Sequence, residues 1–166
     1  MIPDFNEKGH LPSGVHEATI EDFKTRFVDN VPESKTRTGV FAGYMDYRND
    51  ILDLDIVIKQ WLDGSFTTRK VDPNDLDVIS HVDALKISKN RYTIDQFRRL
   101  FIDGIQSNRG HLNSKYKCDP FAIVVYPPGH KFYNITCNTI NYWLDCFGHD
   151  SRVAGRPPKG LIELNR

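Results

Sequence analysis

The spacing of apolar residues changes several times along the chain, and each change predicts an element. Ile20, Phe23 and Phe27 fall at helical spacing behind Thr19 and Asp22, which resemble a capping box, so a short helix is predicted over residues 19–29, ended by Pro32 and Ser34. Val40, Phe41, Tyr44, Met45, Ile51 and Leu52 form one apolar stripe over residues 36–52, a second helix despite Gly39 and Gly43, whose plain role is core packing. Residues 56–62 predict a strand, residues 64–68 a small polar turn, and residues 76–80 a second strand. Thr93 with Gln96 announces a third helix carried by Ile94, Phe97, Leu100, Phe101 and Ile105 and ended at residues 108–110. Residues 121–126 predict a buried strand closed by Pro127 and Pro128. Thr139 is expected to cap a last helix with Ile140, Trp143, Leu144 and Phe147 on one face and Gly148 as its left-handed stop. A polar loop over residues 150–160 then leads to a short strand over residues 161–164.

This order of elements predicts one α+β domain over residues 1–166, a small mixed sheet with helices packed on it. The first two strands lie too close in sequence for a helical crossover, so they should pair antiparallel. There is no internal repeat or low-complexity tract.

Charge and cysteine content narrow the classes further. With 22 Lys plus Arg against 22 Asp plus Glu, the chain lacks the global positive charge of a protein built mainly to hold nucleic acid. Cys118, Cys137 and Cys146 form no CxxC pair, which argues against a zinc site and for reduced, buried thiols. The opening residues carry no basic-then-apolar signal and the longest apolar run is far too short to span a bilayer, so a cytoplasmic protein with no membrane contact is expected. The six histidines show no metal-ligand spacing. P-loop, dinucleotide-binding, EF-hand and nucleophile-elbow motifs are all missing.

The segment that carries chemistry is Trp61, Leu62, Asp63, Gly64, Ser65, nine intervening residues, then Asp75, Leu76, Asp77 and Val78. Residues two apart on a strand share a face, so Asp75 and Asp77 present paired carboxylates while Leu76 and Val78 turn inward. Such a pair suits magnesium, which takes oxygen ligands from one or two carboxylates plus substrate phosphates. Gly64 lets backbone approach a phosphate, and Ser65 adds its hydroxyl beside backbone N–H donors. The plain alternative is a solvated turn at residues 73–75 and an ordinary loop at Gly64 and Ser65. The combination is specific where its parts are weak. Arg69 and Lys70 lie between the two halves, where a cation would neutralise a β- or γ-phosphate.

These residues resemble the signature of the DNA polymerase beta-like nucleotidyltransferase superfamily, in which Gly-Ser or Gly-Gly precedes an Asp-x-Asp or Asp-x-Glu pair by about ten residues. The resemblance implies the nucleotidyltransferase (polymerase beta-like) fold, with Asp75 and Asp77 coordinating Mg2+ (or Mn2+), Gly64 and Ser65 contacting the phosphates of a nucleoside triphosphate, and an acceptor hydroxyl attacking the α-phosphate. The superfamily usually adds a third acid from a later strand. By the resemblance Asp119 is the candidate here, helping to hold the metal and to activate the attacking hydroxyl, set against a plain structural acid. Pro120 forces it into an extended conformation but also marks an edge strand.

Through its MIPDFN opening, LDGSF, FGHDSR and PPKGLIEL, nearly the whole chain is similar to a family of small bacterial proteins of this superfamily. Those in turn resemble the minimal nucleotidyltransferases of toxin-antitoxin and phage-defence pairs, which implies a cognate toxin or antitoxin partner. The enzyme so implied moves a nucleoside monophosphate onto a hydroxyl of an RNA end or a partner protein. The alternative is a catalytically silent module of the same fold that sequesters a partner or nucleotide. Lys86, Lys89, Arg91, Arg98 and Arg99, with Tyr92, form a basic stretch fit for RNA phosphates or simply for solvent, and Arg152, Arg156 and Lys159 would reach phosphates if the late loop folds over the site.

Overall fold

The computed structural model describes residues 2–87, 95, 98–101 and 109–166. It is a mixed α+β protein built on one five-stranded sheet in the order β1-β5-β2-β3-β4. The strands are β1 (Gly14–Ala18), β2 (Val57–Asp63), β3 (Leu76–Asp83), β4 (Cys118–Val125) and β5 (Gly160–Asn165). The helices are α1 (Ile20–Lys24), which runs on into a π-helical turn over Thr25–Asp29, then α2 (Arg37–Leu52), α3 (Ala84–Ile87), α4 (Arg109–Tyr116) and α5 (Tyr133–Phe147). β2 pairs antiparallel with β3, as their short connection requires, and with β5, while β1 with β5 and β3 with β4 are parallel.

Alternation along the strands divides the side chains between two layers. Leu62, Leu76, Val78, Val82, Cys118, Ile162 and Leu164 join Phe23, Phe27, Val40, Tyr44, Tyr47 and Ile51 in the larger core beneath α1 and α2. Trp61, Ile79, Ile123 and Leu161 face the other way, under Ile140, Trp143, Leu144 and Phe147 of α5. His81 belongs to this second layer as a packing residue, its ring edge on Trp61 at 4.3 Å between centroids. Gly43 of α2 passes so close to the Tyr116 carbonyl that any Cβ would collide with it, which explains a glycine inside a helix that it weakens.

A buried arginine ties the two halves of the larger layer together. Arg37 donates from Nη1 to the carbonyls of Phe27 and Phe66 at 2.8 and 2.7 Å, from Nη2 to those of Thr68 and Lys70 at 2.8 and 2.6 Å, and from Nε to that of Val71 at 3.2 Å. Its guanidinium also lies 4.8 Å from the Phe66 ring centroid. Burial lowers the Arg37 pKa to about 10, so it stays charged at neutral pH.

Several elements depart from the sequence pattern. β1, short, polar and exposed, has no apolar alternation to announce it, yet it pairs along its whole length with β5. β4 begins at Cys118, so Asp119 and Pro120 lie within it; the proline is tolerated because β4 is an edge strand. α5 starts at Tyr133 and Thr139 is interior, donating back to the Ile135 carbonyl at 2.8 Å. Gly148 has φ −70°, so it is no left-handed stop; its N–H closes on the Leu144 carbonyl at 2.8 Å, an approach that a Cβ would block. Gly110 sits inside α4 instead of ending a helix. Asp95 and residues 98–100 are helical, whereas Thr93, Ile94, Gln96, Phe97 and Ile105 of the predicted third helix lie outside the described residues.

Replacing Arg37 with Lys should lower unfolding stability by at least ~3 kcal/mol, because three rotatable donors cannot meet five carbonyls, three of them in buried bonds. Urea unfolding followed by circular dichroism measures it; a loss below ~0.5 kcal/mol would mean the loop at residues 66–71 holds itself.

Candidate functional site

Strand register assembles the site. Asp63, the last residue of β2, lies opposite Asp77 of β3, and Asp77 lies opposite Asp119 of β4, so three carboxylates form a row across three adjacent strands. All three follow the alternation of Trp61, Ile79 and Phe121 and therefore emerge on the α5 side of the sheet. Asp75 precedes the first residue of β3 and adds a fourth acid beside them. Gly64 then reverses the chain at φ +84°, a conformation that side-chain-bearing residues rarely adopt, and its Cα is so close to Asp77 Oδ2 that a Cβ would overlap it. The turn is braced locally: Thr67 Oγ1 donates to Asp63 Oδ1 at 3.3 Å and Thr68 Oγ1 to the Ser65 carbonyl at 2.8 Å.

A cleft of about 210 Å³ opens here, lined by Asp63, Gly64, Ser65, Asp75, Asp77, the end of α5 and the loop that follows it. The late loop supplies cations to it. Lys159 Nζ meets Asp63 Oδ2 at 2.7 Å with both side chains buried. Arg152 is held by Asp150 through Nε to Oδ1 at 2.9 Å and Nη2 to Oδ2 at 3.2 Å, and His10 Nε2 reaches Asp150 Oδ2 at 3.1 Å. Hydrogen bonds from Arg152 hold the Asp150 carboxyl down at about 2. On the opposite side α4 covers Asp119. Arg109 Nη2 pairs with Asp119 Oδ2, and Asn113 Nδ2 donates to both Asp75 Oδ2 and Asp119 Oδ1 at 3.1 Å.

Burial and mutual repulsion dominate the electrostatics. The Asp77 carboxyl rises to about 7, first by desolvation and then through the charges of Asp63, Asp75 and Asp119. Asp63 rises to about 6 by desolvation, against the pull of Lys159. Among the described residues no hydrogen-bond donor reaches the Asp77 carboxylate, so the centre of the acidic row is held together by backbone pairing alone.

Of the residues singled out from sequence, the structure brings Gly64, Ser65, Asp75 and Asp77 into one cleft and sets Asp119 in register beside them, behind Arg109 and Asn113. Arg69 and Lys70 do not join it. Arg69 lies against Phe5 in a separate cavity with Arg26 and Phe27, and Lys70 is exposed, its carbonyl committed to Arg37. The sequence pattern included Asp63 in the segment that carries chemistry but gave it no role, although it shares a strand face with Trp61. Nor did it single out Asn113 and Arg109, which no local motif marks. Among the described residues no three His, Cys, Asp or Glu side chains already enclose a metal position.

Residues 3–165 match the model of a family of unknown function, DUF6932. The chain belongs to this family. No curated protein and no solved structure matches it. In this DUF6932 chain, then, the cleft's chemistry rests on its own geometry.

The Asp77 shift has a consequence for stability. Its folded pKa lies above the unfolded value, so its contribution is full below about pH 3.8 and is lost as pH rises through about 7. In metal-free buffer Asp77→Asn should therefore stabilise the fold near pH ~8 by ~1–4 kcal/mol and leave it unchanged near pH ~4. Each kcal/mol corresponds to about 2–4 °C in a chain of this size, readable by differential scanning calorimetry. An equal effect at both pH values would contradict the assignment.

Proposed function

We propose that the cleft binds a nucleoside triphosphate with a divalent cation, Mg2+ or Mn2+, and transfers the nucleoside monophosphate to a hydroxyl of an RNA end or a partner protein, in the manner of the polymerase beta-like nucleotidyltransferases. The observation that carries this reading is the contact of Gly64 with Asp77: the phosphate-suited turn and the paired acids, separated in sequence, meet at one point.

The donor set fits the cation. Asp75 and Asp77 offer hard oxygen ligands, and two protein carboxylates completed by substrate phosphates are the usual holding of magnesium, so a preformed three-acid cage is not required. The four gathered acids, with the pKa of Asp77 driven up, form a site that a divalent charge would relieve. When bound, the cation would supply Lewis-acid neutralisation of the phosphates.

The chain's own residues supply the rest. Gly64 allows backbone N–H groups to approach the triphosphate, with the Ser65 hydroxyl beside them. Arg152 and Lys159, on the late loop side, neutralise its non-reacting phosphates. The acceptor oxygen forms a bond to the α-phosphorus while the bond to the β-bridging oxygen breaks, releasing pyrophosphate. Once Arg109 yields its carboxylate, Asp119 accepts the hydroxyl proton and would add a third carboxylate to those of Asp75 and Asp77 around the cation. A toxin-antitoxin or phage-defence partner is one source of the protein acceptor.

A second reading, a silent module that sequesters a nucleotide or partner, draws on the cations already paired with Asp63 and Asp119. The test is incubation with each labelled nucleoside triphosphate and Mg2+, with cellular RNA or the genomic neighbour's product as acceptor. Asp75→Asn and Asp77→Asn should each cut label transfer by ~100-fold or more while the fold is retained. Transfer by Asp77→Asn at the unaltered rate would sink the proposal, and metal-dependent nucleotide binding without transfer would favour the silent module.

A further inference from the structure

α4 touches the acidic row through two side chains of opposite character. Asn113 is neutral and half-buried, and its single Nδ2 bridges Asp75 Oδ2 and Asp119 Oδ1 at 3.1 Å each. Arg109 is charged and its side chain is 54% exposed, and it pairs with the other oxygen of Asp119, a residue only 1% exposed. Asp75 comes from the loop before β3 and Asp119 from inside β4; the Leu76 N–H donates to the Lys117 carbonyl at 3.1 Å and aligns the two main chains, but a backbone bond does not set how one carboxylate is turned relative to the other. The amide of Asn113 does so. It uses one lone pair of each acid and leaves Asp75 Oδ1 free to turn to a ligand. Arg109, by contrast, sets a full positive charge on the carboxylate next to Asp77.

We propose that Asn113 is a positioning residue that orients Asp75 and Asp119 toward a divalent cation, whereas Arg109 on the same helix is that cation's resident competitor. The inference rests on the nucleotidyltransferase reading of the cleft. Partners that orient the acids holding a metal raise its affinity without touching it, and their loss weakens binding by about 10–100-fold. A positive charge paired with one of the acids acts in the opposite sense, and at the high effective dielectric of an exposed arginine its removal should tighten binding by about three- to tenfold. One helix therefore carries two residues that contact the same carboxylate and shift affinity in opposite directions. A purely structural role for α4 would move both in the same direction.

The experiment is Mn2+ binding alone, without nucleotide, read from the free-Mn2+ signal in electron paramagnetic resonance, with the thermal midpoint of each variant recorded in parallel. Wild type should bind Mn2+ and Asp77→Asn should not. Asn113→Leu should weaken binding by about 10–100-fold, Asn113→Gln, which keeps the amide donor, should restore most of it, and Arg109→Ala should tighten it. Should Asn113→Leu fail to fold, the contrast between Asn113→Gln and Arg109→Ala still decides: near-wild-type binding in the first with tighter binding in the second supports the proposal, and weakening in both overturns it. Binding that needs Asp77 but is indifferent to Asn113→Leu overturns the role of Asn113 alone. No Mn2+ binding by wild type, or binding that survives Asp77→Asn, removes the reading of the cleft and the proposal with it.

Discussion

The guanidinium of Arg37 is the constraint on which the rest of the site depends. The chain from Ser65 to Asp75 has no regular structure of its own, and a loop of that length would ordinarily wander over the surface. Four of its carbonyls, those of Phe66, Thr68, Lys70 and Val71, converge on one buried cation that also holds Phe27 in the π-helical turn. This fixes the path between the turn at Gly64 and the entry to β3. The backbone reversal at Gly64 and the position of Asp75 are thereby set by a residue that lies in the core and never faces the cleft.

A second constraint is electrostatic. Register places Asp63, Asp77 and Asp119 side by side, and a sheet gives them no freedom to move apart. The protein compensates at the flanks, with Lys159 against Asp63 and Arg109 against Asp119, and leaves the middle acid without a donor among the described residues. Charge is thus balanced at the two ends of the row and concentrated at its centre. That gradient leaves Asp77, rather than its neighbours, as the least compensated acid of the row.

Much of this was legible in the chain. The stripe that became α2, the strands around the Gly-Ser turn and the antiparallel pairing of β2 with β3 follow from local periodicity and connection length, and Gly64, Ser65, Asp75 and Asp77 stand in a recognisable order. What was not legible depends on distance in sequence. β1 is polar and exists only because β5 supplies a partner edge. Asp63 looks like a turn residue until β3 is laid beside it, and Lys159 looks like a loop cation until it arrives 96 positions away at Asp63. Arg69 and Lys70 adjoin the motif in sequence, yet the grip of Arg37 on the surrounding carbonyls turns them to another surface.

The place of β5 has a consequence for the order of events during synthesis. This strand, residues 160–165, sits inside the sheet between β1 and β2 although it is made after both. Until it emerges from the ribosome, β1 has no neighbour in the sheet and the β2 edge stands open, so the nascent chain cannot complete its sheet progressively from one end. Lys159 is delivered by the same segment, so the charge on Asp63 stays uncompensated for as long as the gap persists. Closure of the sheet and neutralisation of that end of the acidic row are one event, so the cleft does not exist before β5 does. Long-range closure of this kind is slow relative to local helix formation, and the open edge is the state in which the young chain is most exposed to wrong partners.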